Sequence, residues 1–266
     1  VPSLGTTLFN IHVRPGTTEL WIPNTDALNA VHRGEANFVA GQVVRNRITI
    51  VDATGAVPPR VIDLDAIAPP DKKCAQPAFV EFDPAQPLAY VCGYGSDLVA
   101  VLRLGSGGAV TWEGSIDLPS AVAHFRGTGP RAGRVLPSRS ALITYNTNDA
   151  SATSIDLSGL PSGSGWSLTA PPAVKLGVDL TSLFEHLGRN VLTNANLSLS
   201  KTSSCASCHI DGHTDGLTWD LSHYLDPEGT PDDQLACGTD VKGPMVTQSM
   251  RRMAESGPYH WRGEVP

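Results

Sequence analysis

Residues 203–213 read SSCASCHIDGH, with thiols at Cys205 and Cys208 and an imidazole at His209 directly after the second thiol. Thiols at this spacing can reach two vinyl groups on adjacent pyrrole rings, and the following residue can then present its imidazole to the iron from below. The intervening Ala206 and Ser207 are small, so a macrocycle can lie close to the backbone. Two other chemistries use a Cys-x-x-Cys pair. A structural zinc site needs four donors, normally from a second pair at short spacing. His213 and Cys237 could be recruited, but there is no second Cys-x-x-Cys. A thioredoxin-like dithiol follows a strand in a βαβ pattern, which is absent here. The expectation is one covalent haem c on Cys205 and Cys208, with His209 as iron ligand.

The sixth iron position stays open between three readings. Met245 follows Gly-Pro in extended chain, and a thioether there would raise the potential. His260 lies in the loop GPYHWRG, and an imidazole would lower the potential. The third reading is an open or water-ligated iron. Met250 and Met253 are three apart, and packing against the haem edge is their expected role. Arg262, with Arg251 and Arg252, is a candidate partner for haem propionates, because a guanidinium matches a carboxylate bidentately. For Arg251 and Arg252, solvated surface charge is an equally good reading. Trp219 and Trp261 are expected to pack on the haem, and His213 and His223 to be surface or supporting groups.

The elements that must position these residues change character along the chain. Of the 266 residues, 26 are glycine and 21 proline, while only 17% are charged. Helical periodicity is scarce before residue 175, which points to many short strands joined by tight turns. A strand–turn–strand unit recurs in NIHVRPGTTELWIPNTD (10–26), FVEFDPAQPLAYVCGYGSDLVAVLRL (79–104) and RVLPSRSALITYNTNDASATSIDL (134–157). Leu20, Leu88 and Leu142 are read as equivalent positions, giving the blade period of a propeller; a β-sandwich is the rival. Strands apolar on both faces suit blades covered by neighbours. The expected fold class is therefore multidomain: a mainly-β, propeller-like repeat region over 1–172, then a small α-helical cytochrome c domain over 173–266.

The stretch LPSGSGWSLTAPPAVKL marks the boundary, being rich in Gly, Ser and Pro. A helix is expected over 179–192, capped by Thr181, with Leu180, Leu183, Phe184, Leu187 and Val191 on one face. Gly188 within it is read as permitting close helix contact. A Cys74–Cys92 bridge would stabilise by about 3 kcal/mol in the chain-entropy view; two separate buried thiols are the alternative, and Cys237 has no obvious mate. Five cysteines leave at least one without an intrachain partner, and the mix fits an oxidising compartment.

Charge and hydropathy exclude some partners. With 19 basic and 26 acidic residues, net −7, the chain has no basic stripe for nucleic acid. No run of about 18 apolar residues offers a membrane span. The chain opens VPSLGTTLFN without an initiator Met, as a processed or trimmed N-terminus would.

From residue 187 onward the chain resembles the bacterial di-haem cytochrome c peroxidase superfamily, in particular its propeller-fused c-type cytochromes. The resemblance rests on LGRNVLTNANLSLS (187–200), CASCHIDGHTDGLTWDL (205–221) and KGPMVTQSMRRMAESGPYHWRGE (242–264). It implies thioether links at Cys205 and Cys208, a proximal ligand at His209, and a distal-side loop carrying His260. Relatives hold two haem domains, one reacting with peroxide or another oxidised substrate and one relaying electrons. This chain has a single Cys-x-x-Cys-His and stops at Pro266, so a fragment or one subunit is expected. The expected function is periplasmic or extracellular electron transfer with redox protein partners, further haem domains or subunits among them. A peroxidase-like oxidoreductase with a displaceable sixth ligand is the enzymatic alternative, and a propeller that docks partners within a redox assembly the structural one.

Overall fold

The computed structural model describes residues 5–30, 35–120, 127–178, 180–220 and 244–251. Among these residues the chain is mainly β. A first antiparallel sheet contains β1 (Thr7–Leu8), β2 (His12–Val13), β3 (Glu19–Ala27), β4 (Val44–Asp52) and β5 (Arg60–Asp63), in the order β1-β3-β4-β5 with β2 also on β3. A second follows as the meander β6 (Pro77–Phe82), β7 (Leu88–Gly93), β8 (Leu98–Leu104), β9 (Val110–Asp117). A third holds β10 (Pro130–Leu136), β11 (Ala141–Asn146) and β12 (Ser151–Asp156). Short helices α1 (Glu35–Val39) and α2 (Leu64–Ile67) lie in the first unit.

The sheets stack face to face, and the second is covered on both sides. One interlayer core joins Trp21, Ile48 and Ile50 of the first sheet to Val80, Val91, Ala100 and Leu102 of the second. The other joins Tyr90, Val99, Val101 and Ile116 to Val135, Leu142 and Ile155 of the third. This explains why β7 and β8 are apolar at nearly every position: side chains alternate across a strand, and here both faces are dry. The three recurring units correspond to these three sheets. The described sheets form an open stack, not a closed ring.

The leucine equivalence needs correction. Leu88 and Leu142 enter the same interlayer core from opposite sheets, so they face each other across one layer. In the first sheet Trp21 is fully buried, while its neighbour Leu20 is only half-buried. Because the side-chain period of a strand is two, a one-residue offset exchanges the faces.

The Cys74–Cys92 bridge is absent: both are free, buried thiols. Cys74 packs in the first core with Val91, whereas Cys92 points through the opposite face of β7 into the second. Both serve as small hydrophobes.

The Gly-Ser-Pro stretch holds two strands. β13 (Trp166–Thr169) pairs in parallel with β9, and β14 (Val174–Lys175) then pairs with β12, stitching the second sheet to the third. Gly114 makes the first step possible: a Cβ there would lie 2.3 Å from the Trp166 ring.

The expected helix forms as α3 (Leu183–Thr193), starting later than the apolar pattern suggests. Its cap is Ser182, not Thr181: Ser182 Oγ accepts from the Glu185 backbone N–H at 3.3 Å, and the Glu185 carboxylate accepts from the Ser182 N–H at 2.6 Å. That reciprocal pair satisfies two orphan donors of the first turn. Among the described residues the close contact expected at Gly188 is also absent, since a Cβ there would meet none of them within 4 Å. α3 is the only α-helix among the described residues after 173. Two short strands, β15 (Thr218–Trp219) and β16 (Met245–Val246), pair antiparallel beyond it.

Candidate functional site

The segment from α3 to β15 lies across one end of all three sheets and is fixed to each through a polar group. From the first sheet, Asn46 Nδ2 donates to the Thr202 carbonyl at 2.9 Å, and Asn29 Nδ2, just past β3, donates to the Thr218 carbonyl at 2.9 Å. From the second, the Gly95 carbonyl accepts from the Ala195 N–H at 2.7 Å, and the Ser96 carbonyl from Asn196 Nδ2 at 3.1 Å. From the third, Asn148 Nδ2 donates to Thr193 Oγ1 at 2.9 Å, while Arg189 Nη1 donates back to the Asn148 carbonyl at 3.0 Å. Glycines permit the approach. Gly127 has φ +142, and a Cβ there would fall 2.3 Å from Asn190 Oδ1.

The anchored chain folds Cys205–Ser207 into a single 3-10 turn. The Cys208 N–H donates to the Cys205 carbonyl at 3.2 Å and the His209 N–H to the same oxygen at 2.9 Å. Ala206 and Ser207 are buried beneath the turn, leaving Cys205 exposed and Cys208 partly so. The two thiols are not bonded to each other.

Both thiols and His209 line a cleft of about 700 Å³, within the range of small-molecule and cofactor clefts. Its walls are largely apolar. Phe38 and Val43 come from the first unit, Val191 from α3, Leu197 from the turn after it, and Trp219 from β15. Trp219 is buried against Val43 and Val44, and its indole N–H donates to Asp215 Oδ2 at 2.9 Å. Met245 and Met250 also line the cleft; Met245 sits opposite Trp219 in the β15–β16 pair.

His209 Nδ1 lies 2.8 Å from the Gln248 carbonyl oxygen. A carbonyl can only accept, so Nδ1 carries a proton, and in the neutral ring Nε2 then keeps its lone pair for a metal. A supporting bond of this kind orients a ligating imidazole and raises its basicity. The segment bearing Gln248, just past β16, is held in turn by the Thr247 N–H to the Leu217 carbonyl and the Met250 N–H to the Gly212 carbonyl, both at 3.0 Å.

Burial pushes the Cys208 thiol up to about 12, with Asp215 and Cys205 adding to the rise. A redox-active dithiol has its thiolate favoured instead. For zinc, no group of three or more His, Cys, Asp or Glu side chains among the described residues is placed to hold a metal ion.

Cys205, Cys208, His209, Met245, Met250 and Trp219 come together at one cleft. His213 is exposed and Arg251 is exposed, and neither lines it. His223, Cys237, Arg252, Met253, His260, Trp261 and Arg262 lie outside the described residues. Two contributors carry no sequence signal: the Gln248 carbonyl, a backbone group, and the wall from Phe38 and Val43, far upstream.

No protein-family model matches the chain, and no curated protein matches it. Among solved structures it is similar to the hydrazine synthase of Kuenenia stuttgartiensis, at 16% identity and TM-score 0.43 over 56% of this chain and 45% of that one. It is also similar to a putative 6-phosphogluconolactonase from Bacteroides fragilis, at 11% and 0.36 over 55% of this chain and 36% of that one. A protein from Lactobacillus plantarum matches at 19% and 0.35 over 63% of this chain and 57% of that one. The chain thus spans 36% to 57% of the length of these structures. At such TM-scores the likenesses carry no functional argument, and no family is assigned.

Proposed function

We propose that the chain is part of an exported c-type cytochrome, propeller-fused as in the superfamily it resembles, that passes electrons to protein partners. The observation that carries the reading is the cleft itself. It brings two thiols of one turn together with an imidazole whose Nδ1 is occupied by the Gln248 carbonyl, facing apolar walls. These residues fit a covalent haem, which when bound supplies one-electron exchange at its iron. Cys205 and Cys208 would hold its edge, and His209 would offer Nε2 to the iron.

The rest of the chain supplies orientation and apolar cover. The Gln248 carbonyl fixes the tautomer and direction of His209, while exposed Phe38, Val191 and Leu197 and buried Trp219 offer apolar surface that a bound macrocycle would cover. The thioethers of Met245 and Met250 in the same cleft favour a carrier over a peroxidase, since thioether ligation suits electron transfer.

The test is expression with a haem-attachment system, followed by haem staining on a denaturing gel and a pyridine haemochrome spectrum. The reading expects one haem per chain that survives acid-acetone extraction, and a low-spin ferric spectrum unmoved by cyanide or peroxide. A high-spin spectrum with peroxide-dependent turnover would favour the peroxidase-like alternative. A colourless product would dismiss both.

A further inference from the structure

Asp211, two residues past His209, sits in the turn Ile210–Gly212 with a left-handed backbone at φ +53. A residue other than glycine keeps that conformation only where its surroundings hold it. The hold comes from the third sheet, 80 residues earlier in the chain. Arg131 Nη1 donates to Asp211 Oδ1 at 2.5 Å and Nη2 to Oδ2 at 3.3 Å.

Arg131 is itself fixed from beneath. Its guanidinium lies 4.7 Å over the centre of the Tyr94 ring. The Tyr94 hydroxyl donates to Asn148 Oδ1 at 3.1 Å, and Asn148 is bonded to Thr193 of α3. Exposed ion pairs are usually weak, and these side chains are 29% and 48% exposed. Forked geometry and stacking on an aromatic face are the circumstances in which such a pair counts.

The turn that Asp211 anchors is bonded to both sides of the cleft. The Gly212 N–H donates to the His209 carbonyl at 3.0 Å, and the Gly212 carbonyl accepts from the Met250 N–H at 3.0 Å. Displacing Asp211 therefore moves the imidazole and the segment carrying Gln248 and Met250 together.

We infer that Arg131 is a positioning residue: clamped between Tyr94 and Asp211, it sets the direction of His209 and of the segment it bonds to at Gln248. This rests on the proposed haem site, but its local consequence is measurable without haem.

The experiment compares wild type, R131Q and R131K as full chains, with haem attached and without it. In the haem-loaded proteins, R131Q keeps one haem per chain but shifts the reduction potential and the ferric spectrum, and R131K restores part of the shift. In the haem-free chains, R131Q speeds amide exchange at Gly212 and His213 by about fivefold or more, the factor for losing a bond of ordinary strength, with R131K intermediate. An R131Q protein matching wild type in potential, spectrum and local exchange overturns the inference, as does one whose only change is a lower overall unfolding midpoint. A wild type that takes up no haem dismisses the proposed function while leaving the exchange comparison to decide the role of Arg131.

Discussion

At the scale of single residues, the thiol–thiol–imidazole group was legible because its chemistry is local: three side chains within five positions fix their own geometry. Its supports were not. The Gln248 carbonyl is 39 residues away and any residue could supply it, and Arg131 is 80 residues from Asp211. Cys205→Ala and Cys208→Ala should each remove one covalent link and leave haem held by the remaining thioether, still resistant to acid-acetone and still staining on the gel; the free vinyl group should move the pyridine haemochrome band to longer wavelength, which the spectrum reads directly. A separate residue-scale prediction concerns Asp65, which accepts from the Asn46 backbone N–H at 2.8 Å and from Asn46 Nδ2 at 3.0 Å. Burial raises its carboxyl from 3.8 to about 6 despite those bonds and nearby Lys73. The native state thus holds a proton that the unfolded chain has released between those values. The associated stabilisation is complete below the unfolded value and is lost as the pH rises through about 6. In urea titrations, Asp65→Asn should gain on wild type by up to about 3 kcal/mol between about pH 3.5 and about pH 7.

Among the elements, the strand units were readable from their turns and from the doubly apolar β7 and β8, but not which face each leucine takes. Leu88 and Leu142 share a core that only the stacking of two sheets defines. The helix was readable from its apolar spacing, yet its start was misjudged because Ser182 and Glu185 form a reciprocal cap that overrides the apolar pattern at Leu180. Two glycines give opposite predictions. Gly188→Ala, with nothing near its Cβ, should stabilise the chain by about 0.5–1 kcal/mol through helix propensity. Gly114→Ala should destabilise by about 1–3 kcal/mol by driving a methyl into the Trp166 ring. Urea unfolding followed by far-ultraviolet circular dichroism should show the two midpoints moving apart.

For the whole molecule, the sheets form a platform that holds the chemistry-bearing segment by at least one polar contact from each. Composition and repeats pointed to a mainly-β chain of recurring units; no sequence signal pointed to the docking, because Asn46 and Thr202 are 156 residues apart. Asn46 is the sharpest probe of that docking, since its side chain also meets half-buried Asp65 and accepts from the Gln76 N–H at 2.8 Å. Asn46→Ala should cost about 1–3 kcal/mol, the penalty for leaving buried polar groups unpaired. Hydrogen exchange should then rise in residues 202–209 and in α2, which carries Asp65, together. If 202–209 alone responded, the site-bearing segment would be independent of the platform.

The measurement that bears most directly on the central claim is the intact mass of the chain after export in a host competent for haem attachment, taken under denaturing conditions. One haem added to the polypeptide mass, lost when both Cys205 and Cys208 are replaced by alanine, is the predicted result. The mass of bare polypeptide would contradict it.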